Sequence, residues 1–135
     1  MSTIDQMLKT HPLALDDSHH AALAECIRAC LECAQVCTSC ADACLNESSP
    51  GDMVRCITTC LDCADVCAAT AAVLSRLGPR DLVTVRSLLE ACRTACGACA
   101  SECEQHAGMH EHCGVCAEAC RRCEQACADL LAQLG

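Results

Sequence analysis

Residues 26–44 read CIRACLECAQVCTSCADAC, and the six cysteines of this stretch are separated by steps of 4, 3, 4, 3 and 4 residues. This spacing is the period of about 3.5 residues that marks the core positions of a helix in a bundle. Side chains three or four residues apart lie on one helix face, with Cβ atoms about 5–6 Å apart. The stretch therefore predicts a long helix whose buried face is a continuous row of thiols.

The same spacing returns three times along the chain, in segments separated by turn-forming residues such as Pro50-Gly51, Gly78-Pro79 and Gly108. We predict bundle helices over 18–45, 52–77, 80–106 and 110–134, with a short helix over 3–10 before them. Short links between long helices are typical of an antiparallel, up-down four-helix bundle, so we expect an all-α fold and a single domain over 1–135. The nineteen cysteines, predicted to line its core as metal ligands, are Cys26, Cys30, Cys33, Cys37, Cys40, Cys44, Cys56, Cys60, Cys63, Cys67, Cys92, Cys96, Cys99, Cys103, Cys113, Cys116, Cys120, Cys123 and Cys127.

The composition limits the classes of function. The chain of 135 residues has 19 cysteines, no Phe, Tyr or Trp, and a net charge of -9. Buried cysteines behave as small apolar side chains, so they can fill a core that lacks aromatics. The negative charge argues against binding to nucleic acid or to anionic membranes. We see neither a signal peptide nor a stretch of 18 apolar residues, and we expect a cytoplasmic protein whose thiols stay reduced and bind metal.

The two ends of the predicted bundle differ in their side chains. Continued beyond the cysteines, the helical spacing reaches leucine and valine at one end, including Leu82, Leu89 and Leu130. We call this the aliphatic end. The other end, which we call the histidine end, collects the additional candidate metal ligands Met53, His106, Met109, His110 and His112.

Other polar residues are weaker candidates. Asp52, Asp62 and Asp65 could add ligands at the histidine end, although each is more simply explained as a solvated helix residue. We expect His11, His19 and His20 to be solvated near the aliphatic end. A stripe beside the first cysteine row is predicted to widen the core or to face another subunit; it consists of Ile27, Leu31, Ala34, Ala41 and Leu45.

Thiolate and thioether ligands favour Cu(I), zinc and iron–sulfur clusters. Iron–sulfur ligands usually come from loops that wrap around the cluster, which four rigid rows do not provide. Charge favours several Cu(I) ions per chain, because one Cu(I) for each thiolate gives a core that is nearly neutral. A zinc or mixed-metal thiolate buffer remains the alternative.

Enzymatic functions fit the sequence poorly. A redox CxxC usually follows a strand at a helix N-terminus, and no strand is predicted here. A di-iron bundle needs glutamate and histidine at core positions that are cysteine in this chain. We therefore predict a binding protein without catalytic activity.

The CxxxCxxCxxxC repeats on four helices, the histidines and methionines at one end and the short N-terminal helix resemble the cytosolic type of bacterial copper storage proteins. The resemblance covers nearly the whole chain from residue 18 onward. It implies a bundle filled with Cu(I), entry of copper through the histidine-bearing end, and assembly as a homotetramer. A protein or a small thiol that donates or accepts copper is a possible further partner.

Overall fold

The computed structural model describes residues 2–134, and at Asp17 it describes only the backbone. Over this range the chain is helical and has no strand, which confirms the predicted all-α bundle with a short N-terminal helix. The helices are α1 (Thr3–Lys9), α2 (Asp17–Leu45), α3 (Val54–Leu74), α4 (Leu82–His106) and α5 (Glu111–Leu134), and a short 3-10 turn, Pro50–Met53, precedes α3.

Capping residues fix where the helices begin. Ser2 accepts a hydrogen bond from the backbone N–H of Asp5 at the start of α1, while the Asp5 carboxylate accepts from the backbone of Ser2. Asp16 caps α2 and Asp81 caps α4 in the same way. Each cap satisfies a backbone N–H that has no partner inside the helix.

Three helix boundaries differ from the predicted ones by two or more residues, and three others differ by one residue. The α3 helix begins at residue 54 instead of 52, because residues 50–53 form the tighter 3-10 turn. It ends at residue 74 instead of 77, since the Ser75 hydroxyl and the Arg80 guanidinium donate to carbonyls of its last turn. The α4 helix begins at residue 82 instead of 80, directly after its cap at Asp81.

Each bundle helix has two neighbours. The α2 helix packs against α3 and α5, and α4 packs against the same two helices, so that α2 lies diagonally opposite α4. Side chains at the core positions of all four helices therefore point to one central axis. The cysteines occupy these positions, and each is at most 2% exposed.

At the aliphatic end the core is closed by apolar side chains. Leu23, Leu74, Leu89 and Leu130 are buried, as expected from the sequence. Leu82 was also expected there, but it is 50% exposed because it is the first residue of α4, at the open edge of the bundle end.

The α1 helix packs on the outside of α2 and buries Leu8. The sequence predicted a solvated His20, and this was wrong: His20 is 7% exposed and its Nε2 atom lies 3.2 Å from the Asp5 carboxylate of α1. Arg28 also reaches Asp5, at 3.2 Å, so one carboxylate ties α1 to two side chains of α2.

The stripe beside the first cysteine row divides into two parts. Ile27 and Ala41 are buried in the core, whereas Leu31 and Leu45 are about half exposed on the outer face of α2. The first pair therefore widens the core of this chain, and the second pair does not.

One segment, Pro50–Leu74, is long and apolar enough to cross a membrane if only its length and composition are considered. No such segment was expected from the sequence. In the bundle, the cysteine face of this segment is buried, together with Ala64 and Ala71.

Candidate metal centre

The nineteen thiols form one continuous column along the bundle axis, which we call the thiol column. Neighbouring Sγ atoms on different helices lie 3.6–4.0 Å apart; examples are Cys37 and Cys120 at 3.6 Å and Cys44 and Cys56 at 4.0 Å. A disulfide bond is only about 2.05 Å long. All nineteen cysteines are therefore free thiols in close contact.

Within the column the thiols form groups of four whose Sγ atoms all lie within 4.8 Å of one another. Two bonds of about 2.3 Å from one metal ion span roughly 4.5 Å, so neighbouring thiols can share an ion with little movement. Four of the five groups given below share members, and the first is linked to the second by contacts of Cys67 with Cys92 and Cys123 at 3.8 and 3.9 Å, so the column is a chain of linked sites. Five of these groups are Cys30, Cys92, Cys123 and Cys127; Cys33, Cys63, Cys67 and Cys96; Cys33, Cys37, Cys63 and Cys120; Cys37, Cys99, Cys116 and Cys120; and Cys40, Cys60, Cys103 and Cys116.

Burial controls the protonation of the thiols nearest the histidine end. Loss of solvent, followed by the proximity of Cys56, raises the pKa of Cys44 to about 11. Loss of solvent also raises the pKa of Cys113. In the middle of the column, hydrogen bonds from other thiols, led by Cys120, lower the pKa of Cys33. Because metal ligands must be thiolates, binding at Cys44 and Cys113 must release protons.

The column ends in a mixed layer near the aliphatic end. Cys26 and Cys127 are 3.8 Å apart there, and Thr70 and Leu89 are fully buried at the corresponding positions of α3 and α4. The Thr70 hydroxyl donates to the carbonyl of Val66, so it is satisfied within its own helix. Beyond this layer the core is apolar and offers no ligands comparable to the thiols.

At the histidine end, His112 connects the column to the surface. Its Nδ1 atom lies 3.4 Å from Sγ of Cys40 and 3.7 Å from Sγ of Cys113. Its Nε2 atom lies 2.8 Å from the Glu47 carboxylate. His110 reaches the same oxygen of Glu47 through Nδ1, at 2.9 Å, and the two imidazole rings are stacked with centroids 5.7 Å apart.

His106 has its own carboxylate partner. Its Nε2 atom lies 3.4 Å from Glu102, which is also 3.8 Å from Arg55. Met53 is buried at the top of α3 and is 2% exposed. The structure therefore places these two predicted ligands at the histidine end of the core, with His106 partly open to solvent.

The remaining candidates lie further out. Met109 is 80% exposed on the turn between α4 and α5. Asp52, Asp62 and Asp65 have exposed side chains. A ligand role for these four residues stays a prediction that the described contacts do not support.

Glu47 and Glu102 were not predicted from the sequence. Hydrogen bonding from His112, followed in part by the charges of His110 and His112, lowers the pKa of Glu47. Glu102 is held between His106 and Arg55. Neither glutamate occupies a position of the cysteine spacing, so that spacing alone could not identify them.

Comparison with known proteins gives a consistent result. The family model described as copper storage protein matches residues 19–132. Among solved structures, the chain is similar to Ccsp, the copper storage protein of Streptomyces lividans, loaded with 10 copper equivalents: the TM-score is 0.93 at 58% identity, over 96% of this chain and 98% of that one.

Two further structures from the same organism agree. The cytosolic copper storage protein with five coppers has a TM-score of 0.86 at 61% identity, over 87% of this chain and 98% of that one. A variant of Ccsp with a histidine replaced by alanine has a TM-score of 0.84 at 62% identity, over 85% of this chain and 96% of that one. No curated protein matches the chain.

Proposed function

Because this chain belongs to the copper storage protein family, we propose that its thiol column stores Cu(I) at roughly one ion per cysteine. Storage in buried thiolates keeps the ions away from other cellular ligands, which also detoxifies them. The observation that carries the proposal is the continuity of the column: groups of four buried thiols share members from Cys33 to Cys40, and the group around Cys30 is joined to them by the 3.8 Å contact of Cys92 with Cys67. Storage of this kind is not an enzymatic role, and we propose that the protein has no catalytic activity.

Charge favours copper over zinc in this core. Nineteen thiolates carry nineteen negative charges, which the same number of Cu(I) ions would neutralise. About 4 or 5 tetrahedral zinc ions would supply only about +8 to +10. The remaining charge would be buried without compensation, at a high cost in free energy.

The histidine end provides the route for copper. His106, His110 and His112 are partly exposed, and His112 also touches Cys40 inside the column. An ion that enters here meets neutral nitrogen ligands before it reaches thiolates. Met53 is a further candidate ligand at the same end, and Met109 lies on the adjoining turn.

We also propose that the protein acts in the cytoplasm as a homotetramer formed by one domain that covers 1–135. The similar protein from Streptomyces lividans is described as cytosolic. Apolar side chains on the outer helix faces, among them Leu31, Leu45, Leu61 and Val115, are 45–58% exposed and would suit contacts between subunits. A protein or small thiol would deliver and remove copper.

A paired titration tests the proposal. The reduced protein at known thiol concentration is titrated with Cu(I) and, separately, with Zn²⁺. We expect Cu(I) binding to saturate at roughly one ion per cysteine. Replacing Cys33 and Cys37 by alanine should lower the Cu(I) capacity by about two ions, while replacing the exposed Ser39 on the same helix should not change it. Saturation near five ions in the unmodified chain would instead support the zinc buffer.

A further inference from the structure

Glu47 lies in the link after α2, and one of its carboxylate oxygens lies within hydrogen-bond distance of two imidazole rings. The distance from Oε2 is 2.8 Å to Nε2 of His112 and 2.9 Å to Nδ1 of His110. An ionised carboxylate can only accept hydrogen bonds. Each ring nitrogen that faces Glu47 must therefore carry a proton.

This contact leaves a different nitrogen free on each ring. In a neutral imidazole one nitrogen donates and the other holds a lone pair, which is the atom that binds metal. If both neutral rings donate to Glu47, His112 is the Nε2–H tautomer, whose free Nδ1 faces Cys40 at 3.4 Å. His110 is then the Nδ1–H tautomer, with its lone pair on Nε2.

We propose that Glu47 is a positioning residue that holds His110 and His112 in opposite tautomers, so that each presents a free nitrogen to copper moving towards Cys40. This inference rests on the proposed storage of Cu(I) and on the route past the histidine end. Ligand histidines commonly donate their other N–H to a carboxylate, which fixes the ring and its tautomer. Here one carboxylate does this for two rings at once.

Of the two histidines, His110 gives the clearer test of whether Glu47 fixes the tautomers. The Nδ1–H form is the less common tautomer of an unconstrained neutral imidazole, so finding it at His110 would show that a contact holds the ring in that form. The described partner of that nitrogen is Glu47. His106 provides a comparison inside the molecule, because it pairs with Glu102 at the longer distance of 3.4 Å and has no contact with Glu47 in the described structure.

The tautomers can be read without copper. We would record ¹⁵N imidazole spectra of the reduced, metal-free protein near pH 8, above the usual histidine pKa of about 6.5. We expect His110 as Nδ1–H in the unmodified protein and a change to Nε2–H in Glu47→Ala. Glu104→Gln is the matched control, because it removes a carboxylate that pairs with Arg121 on the outer surface. The inference is wrong if His110 keeps the Nδ1–H form in Glu47→Ala, or if it is Nε2–H in the unmodified protein.

The consequence for copper is measured separately. Uptake from a Cu(I) chelator should be about 10-fold slower in Glu47→Ala, as for other residues that orient metal ligands. The final capacity should be unchanged, and Glu104→Gln should behave as the unmodified protein. Glu47→Gln keeps the shape, but its neutral amide oxygen accepts hydrogen bonds more weakly than a carboxylate oxygen, so its uptake rate should fall between those of Glu47→Ala and the unmodified protein. Equal uptake rates for all four proteins would overturn the positioning role. The storage proposal itself would fail only through the capacity measured in the titration with Cu(I) and Zn²⁺.

Discussion

The two ends of the bundle are built on the same helical spacing but carry opposite chemistry. At the histidine end the core positions continue into imidazoles backed by Glu47 and Glu102, and His112 reaches the thiols directly. At the aliphatic end they continue into Leu89 and Leu130, which are buried and have no ligand atoms. The helices therefore set the architecture, and the residue type at each core position decides which end carries candidate metal ligands.

The largest expected difference between the two ends is in how much each contributes to the free energy of unfolding. Leu89 is 0% exposed, and Leu89→Ala would leave a cavity next to the last thiol layer. We expect the metal-free protein to lose about 2–5 kcal/mol of unfolding free energy, with the copper capacity unchanged. Denaturant unfolding of the reduced protein measures the unfolding free energy, and titration with Cu(I) measures the copper capacity.

The matched control for this variant is Leu13→Ala, the same substitution at a residue that is 52% exposed in the link between α1 and α2. This control should lose much less unfolding free energy, because the substitution removes little buried apolar surface. Similar losses for both variants would mean that the aliphatic end is not the stabilising part of the core.

The next effect should be on the rate of copper uptake. The double variant His106→Ala with His110→Ala removes two ligands from the histidine end. We expect roughly 10-fold slower uptake from a competing chelator, with the capacity reduced only by the few ions held at that end. Stopped-flow measurements give the rate. Leu82→Ala, at the opposite end, is the control, and faster loading in that variant would show that copper enters there instead.

A smaller effect concerns the attachment of α1 near the aliphatic end. The hydrogen bond from Ser2, with further contributions from His20 and Arg28, lowers the pKa of Asp5 to about 2, against an ordinary value of 3.8. A lowered pKa in the folded state stabilises the fold above pH 3.8, and this contribution is lost as the pH falls from 3.8 to about 2.

We therefore expect Asp5→Asn to lower stability slightly at neutral pH and to reduce the difference between pH 7 and pH 3. Thermal unfolding at several pH values measures this. An identical pH dependence in the variant and the unmodified protein would show that Asp5 does not contribute through its charge.

The smallest effect should be the change in helix content when the protein binds metal. Protonated cysteines pack as apolar side chains, so the core is filled without metal. The burial of Leu89 and the capping of the helices also stabilise the fold without copper. Far-ultraviolet circular dichroism of the reduced protein should show nearly the same helical signal before and after loading. A coil spectrum that becomes helical only with Cu(I) would contradict a preformed column.

Most of the architecture could be predicted because the cysteines mark both the helices and their buried faces. The spacing could not predict His20, whose burial depends on α1 returning to pack over α2 through Asp5. Nor could it predict Glu47, which lies in a link and meets His110 and His112 only after the chain has folded. Contacts between distant segments depend on tertiary packing, which a local repeat does not encode.

The histidines at this end illustrate the same limit. The sequence predicted His106, His110 and His112 as candidate ligands at one end, but it could not indicate which of them contacts the thiols. In the structure His112 makes the most direct contact with the column, since it lies in the first turn of α5 beside Cys113. Met109 was predicted as a candidate ligand from the spacing alone. In the structure it is exposed on the turn before α5.

The difference between the two ends is tested most directly by locating the first copper ions. Crystals of the reduced protein with about two equivalents of Cu(I) would be measured by anomalous diffraction at the copper edge. We predict copper among Cys40, Cys44, Cys56 and Cys113, next to His112, and none between Cys26 and Cys127. Copper that appears first between Cys26 and Cys127 would contradict entry and filling from the histidine end.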